Sequence, residues 1–238
     1  MTELLAMSDR WFSNTGLPED LIREIQRINT KPFSGDVFTV GTYGKVGVTK
    51  GAFDLVDALK RISATGAQFA FLTLSCGRRE VLQKYYETIV GCRALAKRTW
   101  ILPPIAPWRI PSFLHRCDAI CFLERNFPIL FHGPLIPREV LSSGACLVCS
   151  GEIAKKPIYG GNLVDNRNAA IVADPKDRPA LAGRLRSLIS DPDRTQALAR
   201  QGQKLARFWD ENLDDFDAAT RIFAREVEHL IALNKQGS

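Results

Sequence analysis

The sequence predicts an α/β protein with a doubly wound parallel sheet and a helical C-terminal tail. Short apolar runs of strand length alternate with longer segments of helical period, which is typical of βαβ units. The apolar runs are continuous rather than alternating, as expected for parallel strands that are buried on both faces. After residue 178 the chain shows helical periodicity only.

Strands are predicted in order at 37–41, 70–75, 99–104, 119–124, 146–150 and 169–174, because each is a short apolar run bounded by turn residues. Helices are predicted between them near 52–64, 79–90, 111–116 and 137–143. We interpret residues 1–33 as an entry segment, 34–178 as a single sheet domain, and 179–238 as helices that pack on the same domain. In such a sheet the ligand crevice lies beyond the carboxyl ends of the strands, so the loops after the strands hold the candidate site.

Composition narrows the class of protein only moderately. The chain has 238 residues, of which 45% are hydrophobic and 24% charged, as in ordinary globular domains. Its apolar runs are far shorter than the roughly 20 residues of a membrane span, and the N-terminus lacks the order of a signal peptide, so we expect a cytoplasmic protein.

The net charge of +6 permits an anionic ligand, a membrane surface or nucleic acid, and selects none of them. Basic residues are spread along the chain and the tail mixes both signs, which favours a solvated surface and leaves peripheral membrane contact open. No basic stretch is interleaved with aromatic residues, so we expect no nucleic-acid partner.

The six cysteines lie mostly in apolar segments. Cys146 and Cys149 have the spacing of half a zinc site or of a redox pair, but they fall in a predicted buried strand and no second pair has zinc spacing. We therefore expect reduced thiols, with neither disulfides nor a bound metal.

A glycine-rich segment follows the first predicted strand and contains Gly41, Gly44, Lys45 and Lys50. Backbone amides at the start of the next helix, together with two ammonium groups, suit a phosphate. The segment matches neither the P-loop nor the GxGxxG fingerprint. A flexible glycine turn with solvated lysines therefore explains it equally well.

A second loop, after the fourth predicted strand, contains His132, Gly133 and Glu139. Pro137 suits the first position of a helix and Gly144 the residue just past its end, so Glu139 falls in the first turn, near the positive end of the helix dipole. A carboxylate at this position can stabilise the helix without contacting any ligand. A histidine in a glycine-proline loop at the carboxyl edge of a sheet is a better candidate for chemistry than one elsewhere.

Together these segments resemble the C-terminal, donor-nucleotide-binding domain of retaining glycosyltransferases with the GT-B fold, the group 1 or family 4-like enzymes. The resemblance covers about residues 14–209 and rests, in order, on Gly41, Lys50-Gly51, Glu124 with Phe127-Pro128, Pro137 to Leu141, Gly144, Ser150, Asn168 and Asp174-Pro175. It implies a Rossmann-like sheet and transfer of a sugar from a nucleoside-diphosphate sugar. It also implies no cofactor and no metal, because helix ends and lysines neutralise the diphosphate.

The resemblance assigns roles residue by residue. It places Glu139 on the nucleotide ribose, and Lys50 and Lys45 on the diphosphate. The arginine that the family carries just after the first-strand glycine is replaced here by Thr42 and Tyr43, so Lys45 is expected to substitute for it.

The family's earlier glutamate, eight residues before the ribose carboxylate, falls on Phe131. Either Glu124 keeps the contact with the donor sugar through a longer loop, or the contact passes to His132 and the backbone amides around Gly133. Glu124 and His132 are accordingly the candidate catalytic residues.

GT-B transferases use two such domains, with the acceptor held by the other one, and the predicted elements account for one. The leading hypothesis is the donor-binding half of a retaining transferase that meets a separate acceptor domain. The alternative is a non-catalytic nucleotide-sugar-binding or partner-activating subunit. A third hypothesis is a Rossmann-like regulator whose loops resemble the family by accident.

Overall fold

The computed structural model describes residues 17–127 and 132–212. Its sheet consists of β1 (Thr39–Lys45), β2 (Ala70–Cys76), β3 (Thr99–Ile101), β4 (Ala119–Phe122), β5 (Cys146–Ser150) and β6 (Ala170–Val172). All neighbouring strands pair in parallel, in the order β3-β2-β1-β4-β5-β6. The predicted doubly wound α/β class is confirmed.

The helices are α1 (Glu19–Ile28), α2 (Ala52–Ala64), α3 (Arg79–Val90), α4 (Arg93–Ala96), α5 (Ile110–Leu114), α6 (Ile136–Ser143), α7 (Gly151–Ala154), α8 (Arg178–Ser190) and α9 (Pro192–Glu211), with 3-10 turns at Pro107–Arg109 and Pro157–Tyr159. Successive strand residues point to opposite faces, so Phe71 joins the core under α1 to α4 and α8, whereas Leu72 joins the core under α5 and α6. Among the described residues, none of the helices combines the length and the apolar character that a membrane span requires.

The first strand is longer than predicted. It pairs with β2 over its whole length, and Lys45 lies opposite Cys76. The prediction that the strand ends at Gly41 and opens into a glycine loop was wrong. Gly41 is instead a packing position, because a Cβ there would lie 2.5 Å from Cys117 Sγ and 2.5 Å from Ile120 Cδ1.

The other helices and strands differ from the prediction mainly at their ends. Helices α2 and α3 occupy the predicted ranges, whereas β3, β4 and β6 are shorter than predicted and α6 begins one residue earlier. Asp191 divides the tail into two helices, since its side chain accepts a hydrogen bond from the Arg194 backbone N–H at 3.0 Å and caps α9. Helix α8 packs on α2, and α9 packs on α6 and β5. Residues 1–16 and 213–238, parts of the predicted entry segment and tail, lie outside the described residues.

Candidate functional site

A cleft lies at the carboxyl edge of the sheet beside β1 and β4, where the strand order reverses direction. Its volume is about 400 Å³. The candidate residues that line it are Gly44, Lys45, Lys50, His132, Gly133 and Glu139. The fold therefore brings together residues from both predicted loops.

The loop before α2 is fastened to the end of β4. Gly51 has a positive φ of 68°, and a Cβ there would lie 2.3 Å from the Leu123 backbone oxygen, so only glycine permits this approach. The Arg125 backbone N–H donates to the Thr49 carbonyl at 2.8 Å. These contacts hold Lys50, which lies between Thr49 and Gly51, against Glu124, the residue that follows Leu123.

Lys50 forms an ion pair with Glu124, in which the ammonium Nζ donates to the carboxylate Oε2. The Glu124 side chain is 0% exposed and that of Lys50 is 21% exposed. Glu124 Oε2 also lies 3.5 Å from His132 Nε2, while Oε1 has no hydrogen-bond partner among the described residues. Glu124 is thus an internal counter-ion of Lys50, whereas Lys50 and His132 line the cleft.

Phe127 packs beneath these groups. Its ring centroid lies 3.9 Å from Lys50 Nζ and 4.3 Å from the stacked His132 ring. The backbone N–H of Phe127 donates to Glu152 at 3.2 Å, which fixes the start of the loop. Sequence reasoning matched Phe127 to the family but gave it no role, because no local pattern predicts a contact with distant Lys50. Its neighbours Pro128 and Phe131, also used in the resemblance, lie outside the described residues.

Tyr43 and Glu139 are joined across the cleft. The Tyr43 hydroxyl donates to Glu139 Oε2. Burial raises the pKa of Tyr43 well above its usual value, and the bond to Glu139 raises it further, so the phenol stays a donor at neutral pH. The ring also packs edge-on against Phe113, with centroids 5.7 Å apart. The sequence identified Tyr43 only as a replacement for the family's arginine and did not predict this bond.

A second, mostly apolar groove lies between α5 and α6 and has a volume of about 590 Å³. It is lined by Pro107, Ile110, Pro111, Leu114, His115, Leu135, Arg138, Glu139, Ser142 and Ser143. Leu135 and Glu139 border both this groove and the first cleft. Glu139 therefore stands at the junction of a polar cleft and an apolar groove.

The positive charge of the cleft comes from three sources. Lys45 is exposed and forms no ion pair within the described ranges. Lys50 adds a partly neutralised ammonium group. The N-terminus of α2, a helix of 13 residues, contributes its first backbone amides, and Ala52 at that end lines the cleft.

The thiols and carboxylates do not converge on a metal. Among the described residues no group of three or more His, Cys, Asp or Glu side chains is placed to hold an ion. All six cysteines are free thiols. Cys146 and Cys149 are buried in β5, and burial raises the pKa of each to about 12, so both behave as small apolar side chains.

No protein-family model and no curated protein matches this sequence. Solved structures do match it. The C-terminal domain of a group 1 glycosyl transferase (LpcC) from Francisella tularensis aligns with a TM-score of 0.62 and 21% identity over 82% of this chain and 96% of that chain. Sucrose-phosphate synthase from Thermosynechococcus elongatus aligns with a TM-score of 0.63 and 18% identity over 85% of this chain and 49% of that chain.

Anabaena HepE in complex with UDP-glucose aligns with a TM-score of 0.56 and 20% identity over 79% of this chain and 48% of that chain. The alignment therefore covers about half of the two longer chains and nearly all of the isolated C-terminal domain. At this level of sequence identity the comparison establishes the fold alone. The resemblance seen in the sequence is therefore confirmed as a similarity of fold.

Proposed function

We propose, on the premise that this chain has the fold of the C-terminal domain of GT-B glycosyltransferases, that it binds the nucleoside-diphosphate sugar donor of a glycosyl transfer. The observation that carries the proposal is the position of Glu139 between the polar cleft and the apolar groove. In a nucleotide the ribose lies between the diphosphate and the base. A ligand that fills both cavities therefore brings its ribose to Glu139.

The cleft on one side of Glu139 suits the diphosphate. Lys45 and the first amides of α2 supply positive charge and hydrogen-bond donors without a metal. Lys50 adds a third group, although part of its charge is already compensated by Glu124. The groove on the other side, walled by Ile110 and Leu114, suits the flat apolar faces of a base.

The donor sugar then lies toward His132 and Gly133, at the end of the cleft away from the groove. In this arrangement His132 contacts the sugar, and Glu124 acts through Lys50 and His132 rather than by touching the substrate. During transfer the leaving diphosphate gains charge, which Lys45 and the α2 amides stabilise. The acceptor hydroxyl approaches the same face of the sugar, giving retention, and is positioned by a second domain.

A non-catalytic nucleotide-sugar-binding subunit is the second candidate. Two observations favour it: Lys50 is tied to the buried Glu124, and Tyr43 stands where the family carries an arginine. Both reduce the positive charge available to a leaving diphosphate. Such a protein would hold the donor and activate or recruit a partner without turnover.

Calorimetric titration with UDP, GDP and ADP tests donor binding. We expect saturable binding of at least one nucleotide, weakened by Lys45→Ala and unchanged by Lys176→Ala, because Lys176 is exposed and does not line the cleft. The absence of binding by all three nucleotides and their glucose conjugates would refute the proposal.

A second assay separates the two candidates. Release of nucleoside diphosphate from the matching sugar nucleotide is measured with and without a co-purified protein that carries an acceptor domain. A transferase half gives release that depends on this partner, whereas a binding subunit binds the donor and gives none.

A further inference from the structure

A third cavity, the amino-end pocket, lies at the opposite end of the sheet, where the segment after α1 meets the starts of β2 and β3. Its volume is about 460 Å³, within the range of pockets that hold small metabolites. The donor cleft is at the carboxyl end of the same strands, so the two cavities are separate. Nothing in the proposed donor function uses this pocket.

The pocket is positively charged. Lys31, Lys97 and Arg98 line it, and no Asp or Glu does. Within residues 17–127 and 132–212 none of these three cations forms an ion pair. Their charges are therefore available to an anion.

Arg98 is held in a fixed orientation. Its Nε donates to the Ala67 carbonyl at 3.3 Å and its Nη1 to the Ala94 carbonyl at 2.8 Å, and the guanidinium lies 5.9 Å from the Phe69 ring centroid. These bonds leave Nη2 for an anionic acceptor.

Asn29 ties the end of α1 to the start of β3 beside this pocket. The residue lines the pocket and is only 9% exposed, and its Nδ2 donates to the Thr99 carbonyl at 2.9 Å. Because a carbonyl oxygen only accepts, this bond fixes which way the amide points. Asn29 Oδ1 is then left buried with no donor among the described residues, which proteins seldom tolerate.

An aromatic wall completes the pocket. Trp100 donates its indole N–H to the Lys31 carbonyl at 3.3 Å and meets the Phe33 ring edge-on, with centroids 5.4 Å apart. Both aromatic residues line the cavity. The wall is held in place by contacts within the protein and offers an apolar surface beside the cations.

We propose that this pocket binds a phosphorylated, hydroxyl-bearing small molecule of the sugar-phosphate class. The phosphate pairs with Lys31, Lys97 and Arg98, and the apolar face of the sugar ring packs on Trp100. The cations alone would suit any anion, whereas the aromatic wall selects a ligand that also has an apolar face.

Calorimetric titration of the full chain with glucose 6-phosphate, inorganic phosphate and glucose tests this site. Glucose 6-phosphate should bind more tightly than inorganic phosphate, and glucose should not bind measurably. The double variant Lys31→Ala/Lys97→Ala should weaken glucose 6-phosphate binding by at least about tenfold, the scale of lost charge-assisted hydrogen bonds. Lys176→Ala, which removes one exposed charge elsewhere, should leave it unchanged.

Competition distinguishes this pocket from the donor cleft. Saturating UDP, GDP or ADP, or the variant Glu139→Gln, should leave glucose 6-phosphate binding unaltered, whether or not the nucleotides bind. Displacement by a nucleotide would assign the sugar phosphate to the donor cleft and overturn the proposal. Flotation with phosphatidylglycerol vesicles, without binding of glucose 6-phosphate, would also overturn it and indicate a membrane headgroup instead.

Discussion

The loss of unfolding free energy should depend on which partner of the Lys50–Glu124 ion pair is removed. Replacing Lys50 by Met leaves a fully buried carboxylate with His132 Nε2, 3.5 Å away, as its remaining polar side-chain neighbour. Breaking a buried pair in this way costs about 3–5 kcal/mol of unfolding free energy. We expect the lower end of that range, because the Lys50 side chain is 21% exposed and its pair is partly screened.

The opposite replacement should cost less. Glu124→Gln leaves the Lys50 ammonium in contact with water and 3.9 Å from the Phe127 ring centroid. We expect a loss of about 1–2 kcal/mol. The double variant Lys50→Met/Glu124→Leu has no buried charge at this point, and it should recover about 1–3 kcal/mol relative to the sum of the single variants.

Urea denaturation followed by circular dichroism at neutral pH measures these free energies of unfolding. Lys45→Met is the matched control, since Lys45 lines the same cleft but is exposed, and its cost should stay below about 0.5 kcal/mol. Equal costs for Lys50→Met and Lys45→Met would refute the reasoning, because they would show that Lys50 holds no buried partner.

Three further predictions concern other parts of the molecule. Gly51→Ala should lower the free energy of unfolding by more than about 2 kcal/mol, because the added Cβ would meet a backbone oxygen at 2.3 Å. Gly66→Ala, at a similar φ but with open space around the added Cβ, should cost only about 1–2 kcal/mol. Equal losses for the two variants in urea denaturation would contradict this prediction. Tyr43→Phe should free Glu139 and strengthen ribonucleotide binding by about 1 kcal/mol in calorimetry, and a weaker affinity would show that the phenol positions the carboxylate instead. Burial raises the pKa of the chain's four tyrosines, that of Tyr85 to about 12, so the unfolded chain loses its phenol protons at a lower pH than the folded chain. The free energy of unfolding should therefore fall as the pH rises above about 10, by about 1.4 kcal/mol per pH unit for each phenol. Phenolate absorbance that appears near pH 10 in the folded protein would contradict this prediction.

The sheet and most helices could be predicted from the sequence, because the spacing of apolar residues and the residue types at the ends of helices and strands are local signals. Helix α2, for example, follows Gly51 and carries apolar residues at helical spacing to its end. The course of β1 past Gly41 could not be predicted. Its glycines suggest a loop, and the reason for Gly41 is the contact with Cys117 and Ile120, which only the folded sheet reveals.

The candidate site could be predicted as a set of residues but not as a set of pairs. Lys50 and Glu124 were each assigned to the ligand, yet they bind one another, and Glu139 was assigned to the ribose without its partner Tyr43. These pairs join side chains far apart in the chain, where no spacing rule applies. Their geometry depends on β1 and β4 lying side by side.

Donor binding through Glu139 is tested most directly by calorimetric titration of wild type and Glu139→Gln with a ribonucleoside diphosphate and its 2′,3′-dideoxy analogue. Gln keeps one acceptor but loses the charge, so the ribonucleotide should lose about 1–3 kcal/mol of binding free energy. The dideoxy analogue, which has no hydroxyl for the carboxylate, should bind both proteins equally, and the melting temperature of the free protein should barely move. A loss shared equally by both nucleotides, or no loss for either, would contradict the assignment of Glu139 to the ribose.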